Sequence, residues 1–135
     1  KGRVVIQTYS PEHYAIASAA SLDYSAIYGM ETSIRRDLGY PPFGSLLSIT
    51  IRGKSADECL TTGRQVVSSL TESGIGKHVE VLGPAPQAVS RIKQIHRWQV
   101  LVKAATREQA REAALIVRIS LKGKVSLDLN PEDII

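Results

Sequence analysis

Apolar and polar residues alternate in two distinct rhythms along this chain, and the change of rhythm divides it. Val4 to Thr8 is a short apolar run that predicts a strand. Ser10-Pro11-Glu12 then supplies a helix start: an oxygen for an orphan amide, a ring suited to the first helical position and a carboxylate at the positive end of the dipole. Ile16, Ala20, Ile27, Ile34 and Leu38 recur at helical spacing, which predicts one long helix towards Leu38, with Gly29 as a candidate bend and Gly39 as the stop. Tyr40-Pro41-Pro42-Phe43 cannot continue a helix and predicts a stiff, extended connector.

Beyond the connector the period falls to two. Leu47, Ile49 and Ile51 alternate with Ser48, Thr50 and Arg52, as in a half-buried strand. Ser55-Ala56-Asp57-Glu58 reads as a capping box opening a helix through Leu60, Val66, Val67 and Leu70, with Gly74 and Gly76 at its end. Val79 to Gly83 predicts a second strand, halted by Pro84 and Pro86 and followed by a basic loop. Trp98, Val100 and Val102 alternate with Arg97, Gln99, Leu101 and Lys103 in a third strand. Thr106 and Gln109 box the start of another helix through Ala110, Ala113, Ala114 and Val117, and Val125, Leu127 and Leu129 form the last strand. Strand, helix, strand, strand, helix, strand is the split βαβ order of ferredoxin-like domains: α+β, four antiparallel strands with two helices on one face. The expected organisation is residues 1–38 as strand plus long helix, 39–43 as Pro-rich connector and 44–135 as the ferredoxin-like domain. The chain does not begin with methionine, and its opening strand has no evident neighbour, so a piece of a longer protein is expected.

Charge sharpens this picture. The net charge is +4, yet residues 1–43 carry four cations and four anions, so the whole excess lies in the second part. Between Val81 and Arg107 there is no acidic residue, while Arg91, Lys93, Arg97, Lys103 and Arg107 fall in that stretch. Such a segment is a candidate polyanion surface. Arg and Lys neutralise phosphates, and Arg97, Gln99 and Lys103 share their strand face with Arg52. The nucleic-acid candidates are therefore Arg52, Arg91, Lys93, His96, Arg97 and Lys103. Trp98 has the parity of Val100 and Val102, which favours a core position over base stacking. An RNA-recognition sheet would carry aromatics on its central strands, and this one does not. Arg107 and Arg111 lie four apart beside a positive helix end, a constellation suited to the acidic C-terminus of a partner.

Other chemistries find little support. There is no Gly-x-x-x-x-Gly-Lys-Ser/Thr loop and no Gly-x-Ser-x-Gly turn, and His13, His78 and His96 are scattered without metal-ligand spacing. No catalytic residue, metal site or cofactor is expected here. A phosphatase-type enzyme on this fold would need a preorganised phosphate loop, which Arg52-Gly53-Lys54-Ser55 lacks. A ligand-sensing regulatory module, paired as a symmetric dimer, is the alternative function. The lone Cys59 excludes an internal disulfide and suits a reducing, cytoplasmic location, and no long apolar run suggests a membrane.

Four blocks carry a resemblance: Gly-Arg-Val-Val-Ile-Gln-Thr-Tyr-Ser-Pro-Glu-His at 2–13, Arg-Arg-Asp-Leu-Gly-Tyr-Pro-Pro-Phe at 35–43, Val-Leu-Gly-Pro-Ala-Pro at 81–86 and Arg-Trp-Gln-Val-Leu-Val-Lys at 97–103. Together they resemble the C-terminal part of the primosomal protein N′ family of replication-restart helicases. Leu-Asp-Leu-Asn-Pro at 127–131 is similar to that family's ending, with Asn130 where Asp is usual. The resemblance implies that residues 1–38 close the second helicase lobe. It implies that 44–135 engage forked or single-stranded DNA, the single-stranded DNA-binding protein and other primosome proteins. It also implies that the parent is an ATP-dependent 3′→5′ DNA helicase whose ATP/Mg and zinc sites lie upstream, so that this part alone should not hydrolyse ATP.

Overall fold

A computed structural model describes residues 2–132; the last three residues of the expected 44–135 domain lie outside the described ones. Two helices come first, α1 (Tyr14–Ser21) and α2 (Tyr24–Asp37), followed by β1 (Ser45–Gly53), α3 (Ala56–Glu72), a 3-10 turn at Ile75–Lys77, β2 (Val79–Ile92), β3 (Ile95–Ala104), α4 (Arg107–Leu121) and β4 (Val125–Leu129). The four strands form one antiparallel sheet in the order β2-β3-β1-β4. With α3 and α4 packed together over one face, this is the ferredoxin-like arrangement that the period-two pattern predicts.

The core lies between that face and the helices. Leu47, Ile49, Ile51, Val100 and Val102 from the sheet meet Cys59, Val66 and Leu70 of α3 and Ala113, Val117 and Leu121 of α4, all buried. Trp98, Val125 and Leu127 are half-buried and pack against this cluster, so Trp98 is a core-side residue. Both helix starts are capped: Ser55 Oγ accepts from the Glu58 amide, and Thr106 and Gln109 satisfy each other's amides in a full capping box. Only half of the first box forms, because the Glu58 carboxylate accepts from the Lys54 amide, not from Ser55.

Four local expectations are corrected. Residues 4–8 pair with no strand, and Val4 and Val5 stand exposed, because a strand needs a neighbour for its amides and none of the described residues supplies one. The long helix is broken at Leu22–Asp23, not at Gly29. Leu22 turns into the left-handed region and Asp23 restarts the helix by accepting from the Ala26 amide, while Gly29 stays helical within α2. The connector is a tight turn, closed by a Phe43 amide donating to the Tyr40 carbonyl at 2.9 Å, and not an extended spacer. Finally, β2 does not end at Pro84. It continues to Ile92 through irregularities between Leu82 and Ala85 and between Pro86 and Arg91, which an edge strand tolerates because its outward amides need no partner.

The face away from α3 and α4 is not uniformly polar. Leu46 and Leu101 are buried there, and Leu46 shares a hollow with Ile34, Leu38, Tyr40 and Pro41, so the end of α2 and the connector turn cover this corner. Tyr14 Oη donates to Glu31 Oε2 at 2.7 Å, Arg35 donates to Glu31 Oε1 at 2.7 Å, and Arg35 Nη1 reaches the Pro41 carbonyl. This chain of bonds ties α1, α2 and the turn together.

Candidate nucleic-acid interface

Strands β2 and β3 outrun the sheet. The last residue of β1 to find a partner is Gly53, opposite His96, whereas β2 and β3 continue through the pairs Arg91–His96 and Ile92–Ile95. A two-residue turn of Lys93 and Gln94, both at positive φ (47° and 66°), joins them. That is the backbone of a type I′ hairpin, where Asn-Gly is the usual choice and a residue bearing a larger side chain is held at a cost. Arg91 Nη2 donates to Gln94 Oε1, which holds the guanidinium along the ribbon towards its tip.

At the foot of the ribbon Arg52 and Arg97 stand directly opposite each other in the β1–β3 register. Like charges in such a pair repel. Arg97 is half-buried, and its Nε is shielded from solvent with no hydrogen-bond partner among the described residues. Arg52 is exposed and also lines a hollow with Asp57, Glu58 and Lys124, but among the described residues no carboxylate comes within ion-pairing distance of it. Of the six sequence candidates, the structure therefore gathers Arg52, Arg91, Lys93 and Arg97 at one end. His96 lies among them, half-buried, with its carbonyl accepting from Cys59 Sγ at 3.7 Å.

Lys103 does not join this cluster. It sits six residues from Arg97, about 20 Å along an extended strand, where its Nζ pairs with Glu80 at 2.9 Å and lies over the Tyr40 ring. Its side chain is only 22% exposed. Arg107 and Arg111 are exposed on the first turns of α4, at that same far end, since Ala104 pairs with Ser45 where β1 begins. Neither forms an ion pair among the described residues. Two cationic surfaces thus stand at opposite ends of β3.

Sequence reasoning missed two features. Ile92, Ile95 and Val89 expose apolar surface on the ribbon, at 43%, 39% and 60%. The isoleucine pair flanking two polar residues was the available signal, but Lys-Gln lacks the Asn-Gly stamp of a hairpin. Asn130 is the other. Its Oδ1 accepts from Ser45 Oγ at 3.0 Å and from the Leu46 amide at 2.8 Å, and its own amide donates to the Leu46 carbonyl at 2.7 Å, so it clamps the end of β4 to the start of β1.

The described residues contain no group of three or more His, Cys, Asp or Glu side chains able to hold a metal ion, and no helix long and apolar enough to cross a membrane. Burial pushes the Cys59 thiol up from its ordinary pKa, with the Glu58 charge adding to the effect, which makes it a poor nucleophile.

Fold and surface together define a ferredoxin-like α+β domain with cationic clusters at both ends of a central strand. The family model described as the primosomal protein N C-terminal domain matches residues 36–132, and the chain belongs to that family. Relatives named replication restart protein PriA include that of Synechocystis sp., 40% identical over 102 residues that cover 76% of this chain and 12% of the relative. The Bacillus subtilis protein is 30% identical over 139 residues, covering 96% and 17%. That of Thermotoga maritima is 32% identical over 109 residues, covering 81% and 14%. The chain thus spans less than a fifth of the length of these relatives.

Proposed function

We propose that this chain is the DNA- and partner-binding module of a cytoplasmic replication-restart helicase. In this reading Arg52, Arg91, Lys93 and Arg97 contact phosphates of forked or single-stranded DNA, with His96 auxiliary. Lys103 serves the fold through Glu80 and Tyr40. Arg107 and Arg111 receive the acidic C-terminus of the single-stranded DNA-binding protein, and ATP, magnesium and zinc are bound by other parts of the parent.

The observation that carries the DNA reading is the unneutralised end of the sheet. Four cations share one projecting ribbon and its foot, two of them face to face, and none forms an ion pair among the described residues. Family membership supports the replication-restart context.

Anisotropy titrations of labelled fork DNA at several salt concentrations test it. Four phosphate contacts require a log–log salt slope of about −3.6 on duplex. Charge reversal at Arg91 and Arg97 should weaken binding and flatten the slope. A flat slope in the unaltered chain, or unchanged affinity after charge reversal, refutes the assignment. For the far end, Arg107→Glu should lose affinity for an acidic C-terminal peptide while fork binding persists; unchanged peptide affinity removes that site.

A further inference from the structure

The ribbon tip combines two features that phosphate contact alone does not use. Ile92 and Ile95 pair directly across the two strands and therefore lie on the same face of the ribbon. Two residues along β3, on that same face, is Arg97, which opposes Arg52. An exposed apolar pair thus stands beyond an arginine pair. The two are separated by about 6.6 Å of strand, which is close to two base steps at about 3.4 Å per step. Lys93 occupies the turn itself and Arg91 is drawn towards it by Gln94. A purely electrostatic surface gains nothing from isoleucines at its most projecting point, where they cost solubility.

We infer that the β2–β3 tip is an apolar wedge that seats Ile92 and Ile95 against the terminal base pair of a duplex at a branch point, while Arg52 and Arg97 hold the backbone about two steps away. β-Branched and other apolar side chains placed against a base step unstack it, and the flanking cations offset the cost through phosphate contacts. DNA is favoured over a protein partner as the occupant because the apolar pair stands between Lys93 in the turn and Arg97 on its own face, with Arg91 on the reverse face, in a stretch from Val81 to Arg107 that contains no carboxylate. The inference rests on the DNA reading above and adds to it a contact with bases and a preference for branched over continuous duplex.

The test uses fork DNA carrying 2-aminopurine in the base pair next to the branch, with an unbranched duplex of equal length as reference. The unaltered chain should raise the 2-aminopurine fluorescence on binding and prefer the fork by about tenfold, equal to about 1.4 kcal/mol. Ile92→Thr with Ile95→Thr keeps β-branching at two exposed positions, so circular dichroism and Tm should be preserved. It should abolish the fluorescence rise and erase the fork preference, leaving duplex affinity intact. Ile92→Phe, which enlarges the tip, should increase the rise. If the Thr double variant keeps both the rise and the preference, the wedge is wrong while phosphate binding stands. If the unaltered chain binds the fork without any fluorescence change, the tip does not meet the bases, and its apolar pair belongs to a protein contact. If the chain binds no DNA at all, the DNA reading fails and the wedge falls with it.

Discussion

Gly63 lies in the middle of α3, where glycine costs helix stability, and one substitution there measures how tightly α3 seats on β2. A Cβ built at Gly63 would lie 2.8 Å from Pro84 Cγ, closer still to Pro84 Cβ, and 3.4 Å from Ile51 Cδ1. Carbon atoms rest about 3.5–4.0 Å apart. The Pro84 ring is fixed to its own backbone and cannot rotate away, so the helix and strand must separate. In open space Gly63→Ala would stabilise the helix by about 1 kcal/mol. Overpacking against two fixed elements costs about 3 kcal/mol, the upper part of the usual range. The net loss is about 2 kcal/mol, which lowers the Tm of a domain of about 90 residues by roughly 8–16 °C. Gly29 is the internal control: it is helical too, but nothing lies within 4 Å of its added Cβ. Gly29→Ala should slow amide exchange in α2 and leave the Tm of the sheet domain where it is. Calorimetry on both variants decides the matter. If Gly63→Ala raises Tm, α3 does not rest on Pro84, and the account of this packing fails.

Replacing Arg97 by Gln relieves the repulsion with Arg52, so the variant should be more stable by about 0.2–1 kcal/mol in urea melts, while the salt slope of fork binding loses about one unit of phosphate contact. Asn130→Ala removes both acceptor bonds, leaving Ser45, which is 2% exposed, without its partner. A loss of about 2–4 kcal/mol is expected once the positive φ of the site is included. Asn130→Asp, which keeps the acceptors, should lose less than about 1 kcal/mol, and equal losses in the two variants would refute the clamp. The Glu31 carboxyl is held below its ordinary pKa, first by the Tyr14 hydroxyl and then by Arg35. A lowered folded pKa means the α1–α2 attachment is fully present above the unfolded value of about 4.3 and is lost as pH falls through the folded one. Protection factors of the α1 amides, corrected for the intrinsic exchange rate at each pH, should therefore fall in acid, and Glu31→Gln should remove that dependence.

The ferredoxin-like order was legible because period two and period 3.6 are enforced by a single buried face. Leu47, Ile49 and Ile51 have no alternative once Val66, Leu70 and Val117 need somewhere to pack. What escaped was set by partners, not by pattern. Val4 to Thr8 has the composition of a strand, but among the described residues nothing pairs with it, and composition alone does not form a strand without a partner. The break at Leu22 carries no glycine; its only signal was Asp23, a good cap hidden inside an apparently continuous stripe. Pro84 and Pro86 stopped β2 on paper because a proline forbids a central strand, and only the strand order shows that β2 is at the edge. At the candidate site, strand parity correctly put Arg52 and Arg97 together. The same parity grouped Lys103 with them, since it counts faces and ignores the roughly 20 Å of strand between Arg97 and Lys103.

That spacing has a thermodynamic corollary. Because one unbroken strand separates the ribbon from the start of α4, neither surface can swing to meet the other. On the function proposed above, a nucleoprotein carrying both an exposed backbone and a tethered acidic tail would be gripped at two points whose free energies combine. Its apparent affinity then depends on whether its own tether reaches across about 30 Å, the length of β3.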